Sequence, residues 1–383
     1  MPALSFAPPP SFPPEAERLR GEVREFLRSE LGGASAETRA VSWGGRDPAF
    51  SRKLGEKGWI GMRWPKQYGG HERSAFERYV VLEELLAAGA PVGAHWIADR
   101  QSGPLLLRFG TEEQRQAILP RIARGECYFC IGMSEPDSGS DLVATRTRAS
   151  AVQGGYLVNG TKIWTSGAHE SHYMILFCRT DASSEDRHAG VSQFLVDLTL
   201  PGIKIRPIID ISGDHHFNEV VFEDLLLPKE ALVGTQGGGW KQVTSELAFE
   251  RSGPERFLSS FALLVELAHA LGAEPSERSA IALGRLTAHI MTLRRMSRSI
   301  AGMLQAGQDP AVEAAVVKDL GTTMEQEVPE IARLILETEP STGAHDPYVA
   351  VLAHTILRAP SFSIRGGTRE ILRGIIARGL GLR

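Results

Sequence analysis
The sequence predicts an α+β protein with an N-terminal helical domain, a middle antiparallel β domain and a C-terminal helical bundle. Three observations predict it. Before residue 125 apolar residues recur at spacings of three and four. Between about 126 and 235 the period shortens, Gly and Ser multiply, and short apolar runs appear. After Gly237-Gly238-Gly239 the helical period returns and persists to the C-terminus. At about 150 residues per domain, 383 residues allow two or three domains and a large buried core.

The elements follow in order. Residues 2–14 hold six of the 22 prolines, and because proline fixes φ and removes a backbone donor, 1–14 reads as an extended arm. From Glu15 to Leu31 the residues Leu19, Val23, Phe26, Leu27 and Leu31 mark an amphipathic helix. Segments 74–88 and 111–124 read the same way, the latter opened by a Thr111/Gln114 capping box. Residues 15–125 thus form the N-terminal α-helical domain. Strands are expected at Tyr173–Cys178, Val191–Leu198, Ile203–Ile209 and Glu219–Leu227, within a middle β domain spanning 126–235. Gly154-Gly155 and Asn159-Gly160 bracket Tyr156–Val158 with residues that tolerate positive φ, as hairpins require. Helices are expected near 240–270, 277–305, 309–337, 346–357 and 368–378, making 236–383 the C-terminal bundle.

Composition narrows the function. Lys plus Arg is 42 and Asp plus Glu is 46, a net charge of −4, which disfavours a general nucleic-acid binder, since phosphate neutralisation needs a basic face, and nucleic acid is not expected as a partner. No window approaches the roughly 18–20 apolar residues of a membrane span, and no signal-peptide pattern opens the chain, so the expected location is cytoplasmic. Three cysteines suit a reducing compartment. Cys127 and Cys130 lack a second pair at zinc spacing, and the adjacent His215 and His216 would point to opposite faces of a strand, so no metal is expected. Phosphate-loop, Rossmann and nucleophile-elbow motifs are all missing.

Three segments could carry chemistry. Gly132–Asp141 exposes small hydroxyls and backbone N–H groups, which suits either a turn or the polar edge of a flat ligand. Gly160–Gly167 sets Trp164 between hydroxyls, as a core residue or as a platform. On the helix after the triple glycine, Glu250 falls at about 280° when Trp240 is at 0°, on the apolar stripe of Val243, Leu247, Pro254 and Leu258 at about 300–360°. A carboxylate there is either a base of raised pKa or the partner of a basic group such as Arg251. Glu246, at about 240°, reads as solvated.

Taken together, Met133–Asp141 with Thr145–Arg148, then Gly160–Gly167, Phe217–Asp224 ending at Pro228, Phe249-Glu250-Arg251, and Gly366–Leu372 resemble the acyl-CoA dehydrogenase family in its own order, from about residue 15 onward. The resemblance implies FAD between the β domain and the C-terminal helices, and α,β-dehydrogenation of an acyl-CoA thioester to a trans-2-enoyl-CoA. A carboxylate takes the α proton, hydride passes to flavin N5, and an electron-transfer flavoprotein accepts the electrons. By motif position, Ile131, Met133 and Ser134 meet the flavin, Trp164 and Ser166 flank it, and Gly367, Thr368 and Glu370 contact it from the terminal loop. Ser140, Arg251 and Gly366 fall on the substrate side. Where many members carry the base, this chain has Gly366, whose N–H could still polarise the thioester carbonyl. Other members place the base on the first long C-terminal helix before an arginine, and Glu250-Arg251 stands there. The pattern implies a tetramer and a place in fatty acid or steroid side-chain β-oxidation. Around Glu274–Leu286 the family's Arg-x-x-Phe-Gly type segment, which grips a neighbour's FAD, is missing. That opens the reading of a non-catalytic or half-site subunit of a heterotetramer; a related flavin oxidase or monooxygenase on the same scaffold is a separate alternative.

Overall fold
The structure is a computed structural model that describes residues 4–9, 11–181, 186–250 and 253–382, with 246–250 described as backbone. The N-terminal segment contains α1 (Pro14–Leu31), α2 (Ala36–Val41), α3 (Pro48–Glu56), α4 (Ala75–Ala87), α5 (Gly93–Ile97), α6 (Gly103–Phe109) and α7 (Glu112–Ala123). The sheet follows as β1 (Phe129–Gly132), β2 (Arg148–Val152), β3 (Gly155–Lys162), β4 (Tyr173–Arg179), β5 (Val191–Asp197), β6 (Ile203–Ile209), β7 (His215–Pro228) and β8 (Leu232–Val233). The C-terminal segment contains α8 (Gly239–Glu250), α9 (Phe261–Leu271), α10 (Glu277–Gln305), α11 (Ala311–Leu336), α12 (Pro347–Phe362) and α13 (Arg369–Gly379). Among the described residues no helix is long and apolar enough to cross a membrane. The chain forms two compact units, 1–47 with 73–93 and 248–383, and 48–72 with 94–247.

The second unit is built on a sheet of order β6-β7-β3-β2-β4-β5-β8, with β1 pairing β4 in parallel. The remaining ladders are antiparallel apart from a single parallel step between Arg148 of β2 and Arg179 of β4. β4 is buried on both faces, which is why it reads as a continuous apolar run rather than an alternation. Met174, Leu176 and Cys178 pack with Val158, Phe194, Val220 and Phe222. Phe177 points the other way, to Val191, Met133, Leu142 and the first turns of α8 at Trp240 and Val243. Burying a Phe side chain fully contributes roughly 1.5–3 kcal/mol.

Gly154 (φ 86°) turns β2 into β3, as the hairpin signal requires. Asn159-Gly160 does not turn the chain. The register of β3 against β7 shifts between Val158 and Gly160, so the pair forms a bulge inside one long strand. A β carbon on Gly160 would lie 2.5 Å from Thr147 Oγ1, so glycine is there for close approach as well as for its φ of 149°.

In the first unit α1 and α4 pack together, and Phe12, Ala16, Tyr79, Val80 and Ala301 share a core. The arm at 4–9 has no regular secondary structure and is held along α10, where Ser299 Oγ accepts from Ala7 N at 2.8 Å and Arg298 donates to Pro9 O at 2.9 Å. Ser74/Glu77 and Thr111/Gln114 form reciprocal capping boxes on α4 and, in the second unit, α7.

The expected helix 240–270 is broken. α8 ends at Glu250, Gly253 is extended (ψ 172°), and Pro254–Arg256 form a short 3₁₀ turn before α9. Proline lacks an N–H and disfavours helical backbone before it, so the phase counted from Trp240 does not carry through Pro254. Pro254 and Leu258 are buried, but they belong to separate elements and do not extend the stripe of Glu250.

Candidate active site
The loop after β1 is built from the inside. Glu135 and Lys162 are almost fully buried, and a buried charge is tolerated only when paired and hydrogen-bonded. Glu135 Oε1 accepts from Lys162 Nζ at 2.8 Å, from Thr147 N at 2.9 Å and from Thr145 Oγ1, while Oε2 accepts from Arg146 N at 2.7 Å. Lys162 Nζ also donates to Met133 O at 2.9 Å. Burial alone would raise the Glu135 carboxyl, but the Lys162 ammonium and these donors hold it down at about 2. Burial lowers the Lys162 ammonium, and Glu135 opposes that.

This network fixes two of the expected cofactor segments against each other. Lys162 ends β3 and grips Met133, and Ile163 N donates to Ser134 O at 2.9 Å. Ile131, Met133 and Ser134 are half-buried, and Ser140 lies exposed at the far end of the same loop. Trp164 then takes a φ of 59°, uncommon for a bulky side chain, and is 56% exposed. It packs edge-on to Phe217 at 5.8 Å. It is not a core residue. Ser166 is half-buried, and Thr165 Oγ1 is buried with no partner among the described residues. An exposed indole in a strained backbone, beside hydroxyls and an unpaired buried oxygen, fits a planar ring with a polar edge.

In the first unit, Gly366 (φ 65°) and Gly367 (φ 94°) form the terminal loop, and Thr368 caps α13 by accepting from Ile371 N. The fully buried Lys318 donates to Gly367 O at 2.7 Å. Arg365 pairs with Glu325 at 3.2 Å, and burial raises the Glu325 carboxyl against the pull of that guanidinium. Glu370 is exposed on the first turn of α13, and its carboxyl is lowered by its own backbone N–H and by Thr368. Gly366, Gly367, Thr368 and Glu370 are therefore presented together by a loop pinned from beneath. Glu250 closes α8, but its side chain and all of Arg251 lie outside the described residues.

The sequence reading missed Glu135, Lys162 and Lys318. A lysine in an apolar run is a weak signal, because the partner that allows its burial is distant in sequence. Cys127, Cys130 and Cys178 are buried and form no disulfide, and burial pushes the Cys178 thiol up to about 12. His215 starts β7 and stacks on His169, with ring centroids 3.7 Å apart. No group of three or more metal-ligating side chains occurs among the described residues.

Sequence comparison supplies the class, a flavoprotein oxidoreductase, and the family. Residues 13–126, 130–225 and 237–381 match the acyl-CoA dehydrogenase N-terminal, middle and C-terminal domains. The chain belongs to the acyl-CoA dehydrogenase family, whose cofactor is FAD. It is 35% identical over 390 residues to the acyl-CoA dehydrogenase IpdE1 of Mycobacterium tuberculosis, covering 96% of this chain and 98% of that one. Among solved structures, the Tcur3481-Tcur3483 steroid ACAD superposes with a TM-score of 0.85 at 29% identity over 97% of this chain and 98% of that one. The ChsE4-ChsE5 complex from Mycobacterium tuberculosis gives 0.85 at 29% over 98% and 99%.

Proposed function
We propose that this enzyme oxidises an acyl-CoA thioester to its trans-2-enoyl-CoA, with Glu250 as the base that takes the α proton. The observation that carries this is the terminal loop. The position where many members hold their base is Gly366, which has no side chain to accept a proton, and Glu250 occupies the family's other base position at the end of α8. Bound FAD supplies the acceptor for the hydride that leaves the β carbon. Ile131, Met133, Ser134, Trp164, Ser166, Gly367, Thr368 and Glu370 are the cofactor-binding residues. Ser140 and Arg251 bind the substrate, and the Gly366 N–H polarises the thioester carbonyl, which acidifies the α carbon. An electron-transfer flavoprotein removes the electrons. The steroid label of a similar structure supports a bulky acyl group. In the Glu250→Gln enzyme, FAD stays bound and anaerobic acyl-CoA no longer bleaches it; full bleaching would remove Glu250 from the reaction.

The two-protein names of both similar structures favour a second reading, in which this chain is one subunit of a heteromeric enzyme and shares its site with a different partner.

A further inference from the structure
We propose that Asn218 is a positioning residue whose buried amide, with the stacked His169 and His215, holds the turn that presents Trp164. The role in catalysis rests on the reading that Trp164 flanks the flavin. A φ of 59° at a tryptophan is a conformation that a free chain leaves, so neighbouring groups must enforce it. Asn218 does so from both sides of Thr165. Its carbonyl accepts from Thr165 N at 3.0 Å, and its side-chain Nδ2 donates to Thr165 O at 2.9 Å. The second bond fixes which way the amide faces. Its oxygen must then be the atom that meets the imidazoles, His169 Nδ1 at 3.1 Å and His215 Nε2 at 2.8 Å. An amide oxygen only accepts, so both of those ring nitrogens carry hydrogen.

The two rings stack at 3.7 Å with planes 15° apart. His169 lies in the short helical turn that follows Gly167. One amide therefore ties down the chain before the turn tip at Thr165 and after it at His169, and Gly167 N closes the same stretch by donating to His216 O at 3.0 Å. Asn218 is fully buried, so it acts through the turn.

The test uses the full chain as apoprotein and after FAD titration. Asn218→Ala shifts the emission contributed by Trp164, taken as the difference from the same protein carrying Trp164→Phe. It also weakens FAD by about tenfold, the scale of one buried hydrogen-bonding group, and moves the bound flavin's visible spectrum toward that of free FAD. His169→Gln gives the same changes to a smaller degree. Val158→Ala, in the sheet core, lowers the melting temperature and changes neither signal. In the Trp164→Phe background, Asn218→Ala weakens FAD less than it does alone. Unchanged Trp164 emission in Asn218→Ala would overturn the brace. Normal FAD binding by Trp164→Phe would instead overturn the placement of the indole at the flavin, and with it the role of Asn218 in the reaction. Should Asn218→Ala fail to fold, His169→Gln, which leaves both Thr165 bonds in place, decides by the same two signals.

Discussion

Lys162 puts a positive charge at a position with no exposed surface, at the last residue of β3. Its ammonium is compensated by Glu135 and the carbonyl of Met133, so the pair sets the shape of the loop as well as its own solvation. Lys162→Met leaves the Glu135 carboxylate buried without its counter-ion and costs about 3–5 kcal/mol, read by denaturant unfolding, and FAD affinity falls with it. The Glu135 carboxyl is depressed from 4.5 to about 2. A depressed acid stabilises the fold above its unfolded value, and that stabilisation is lost as pH falls from about 4.5 through about 2. Nothing in the local sequence announces this pair. Glu135 sits in a stretch that reads as a turn, and Lys162 in one that reads as a hairpin strand; only the fold brings them within 2.8 Å. From its sequence Trp164 reads as a core residue or a platform, and its exposure excludes the first; its left-handed backbone, braced by Asn218 on another strand, has no local signal.

At the scale of elements, the run from α5 to α6 is one helix that widens over Ala98–Ser102, where Gly103 N reaches back to Ala98 O. Such widened turns re-aim side chains, and here Asp99 Oδ1 accepts from Gly61 N at 2.8 Å while Arg100 stacks on Trp96 at 4.5 Å. His95, one turn earlier, is fully enclosed with Nδ1 2.8 Å from Ser51 Oγ. Burial lowers its imidazole from 6.5 to about 4, against the opposing charge of Asp99. A lowered base is protonated in the unfolded chain before the folded one, so stability falls as pH drops from about 6.5 to about 4. That loss amounts to about 3 kcal/mol. In His95→Gln this loss disappears, and urea midpoints stay flat across that window while the lower Glu135 window remains.

Element positions were largely legible where period and capping agreed. α1, α4 and α7 follow their apolar spacing, and β6 spans Ile203–Ile209 as read. β2 escaped because Arg-Ala-Ser-Ala-Val carries little strand propensity, and four-residue β1 is too short to show a period. The overrun past Glu250 ignored a signal that was present, the Gly253-Pro254 pair.

At the scale of the molecule, the match to three family domains accounts for nearly the whole chain, and the heteromeric reading turns on how many kinds of subunit make one site. The segment around Glu274–Leu286, which opens α10, carries no Arg-x-x-Phe-Gly grip. If the heteromeric reading holds, the chain expressed alone retains less than one FAD per polypeptide after gel filtration, and stoichiometric FAD returns on co-expression with a second, unlike dehydrogenase subunit. Stoichiometric FAD with full turnover by the lone chain would exclude that reading. The apolar period showed the helices–sheet–helices order, whereas the only sequence signal bearing on subunit composition is the missing segment around Glu274–Leu286.

The parallel pairing of β1 with β4 has a bearing on how the chain is made. Phe129 aligns with Tyr173, so a ribosome delivers the first of these strands well before its neighbour exists, and the β2–β3 hairpin emerges in between. Local hairpins close in microseconds, whereas β1 must wait for translation to advance. A nascent polypeptide halted short of Tyr173 would therefore hold a finished hairpin beside an apolar strand that still lacks its neighbour.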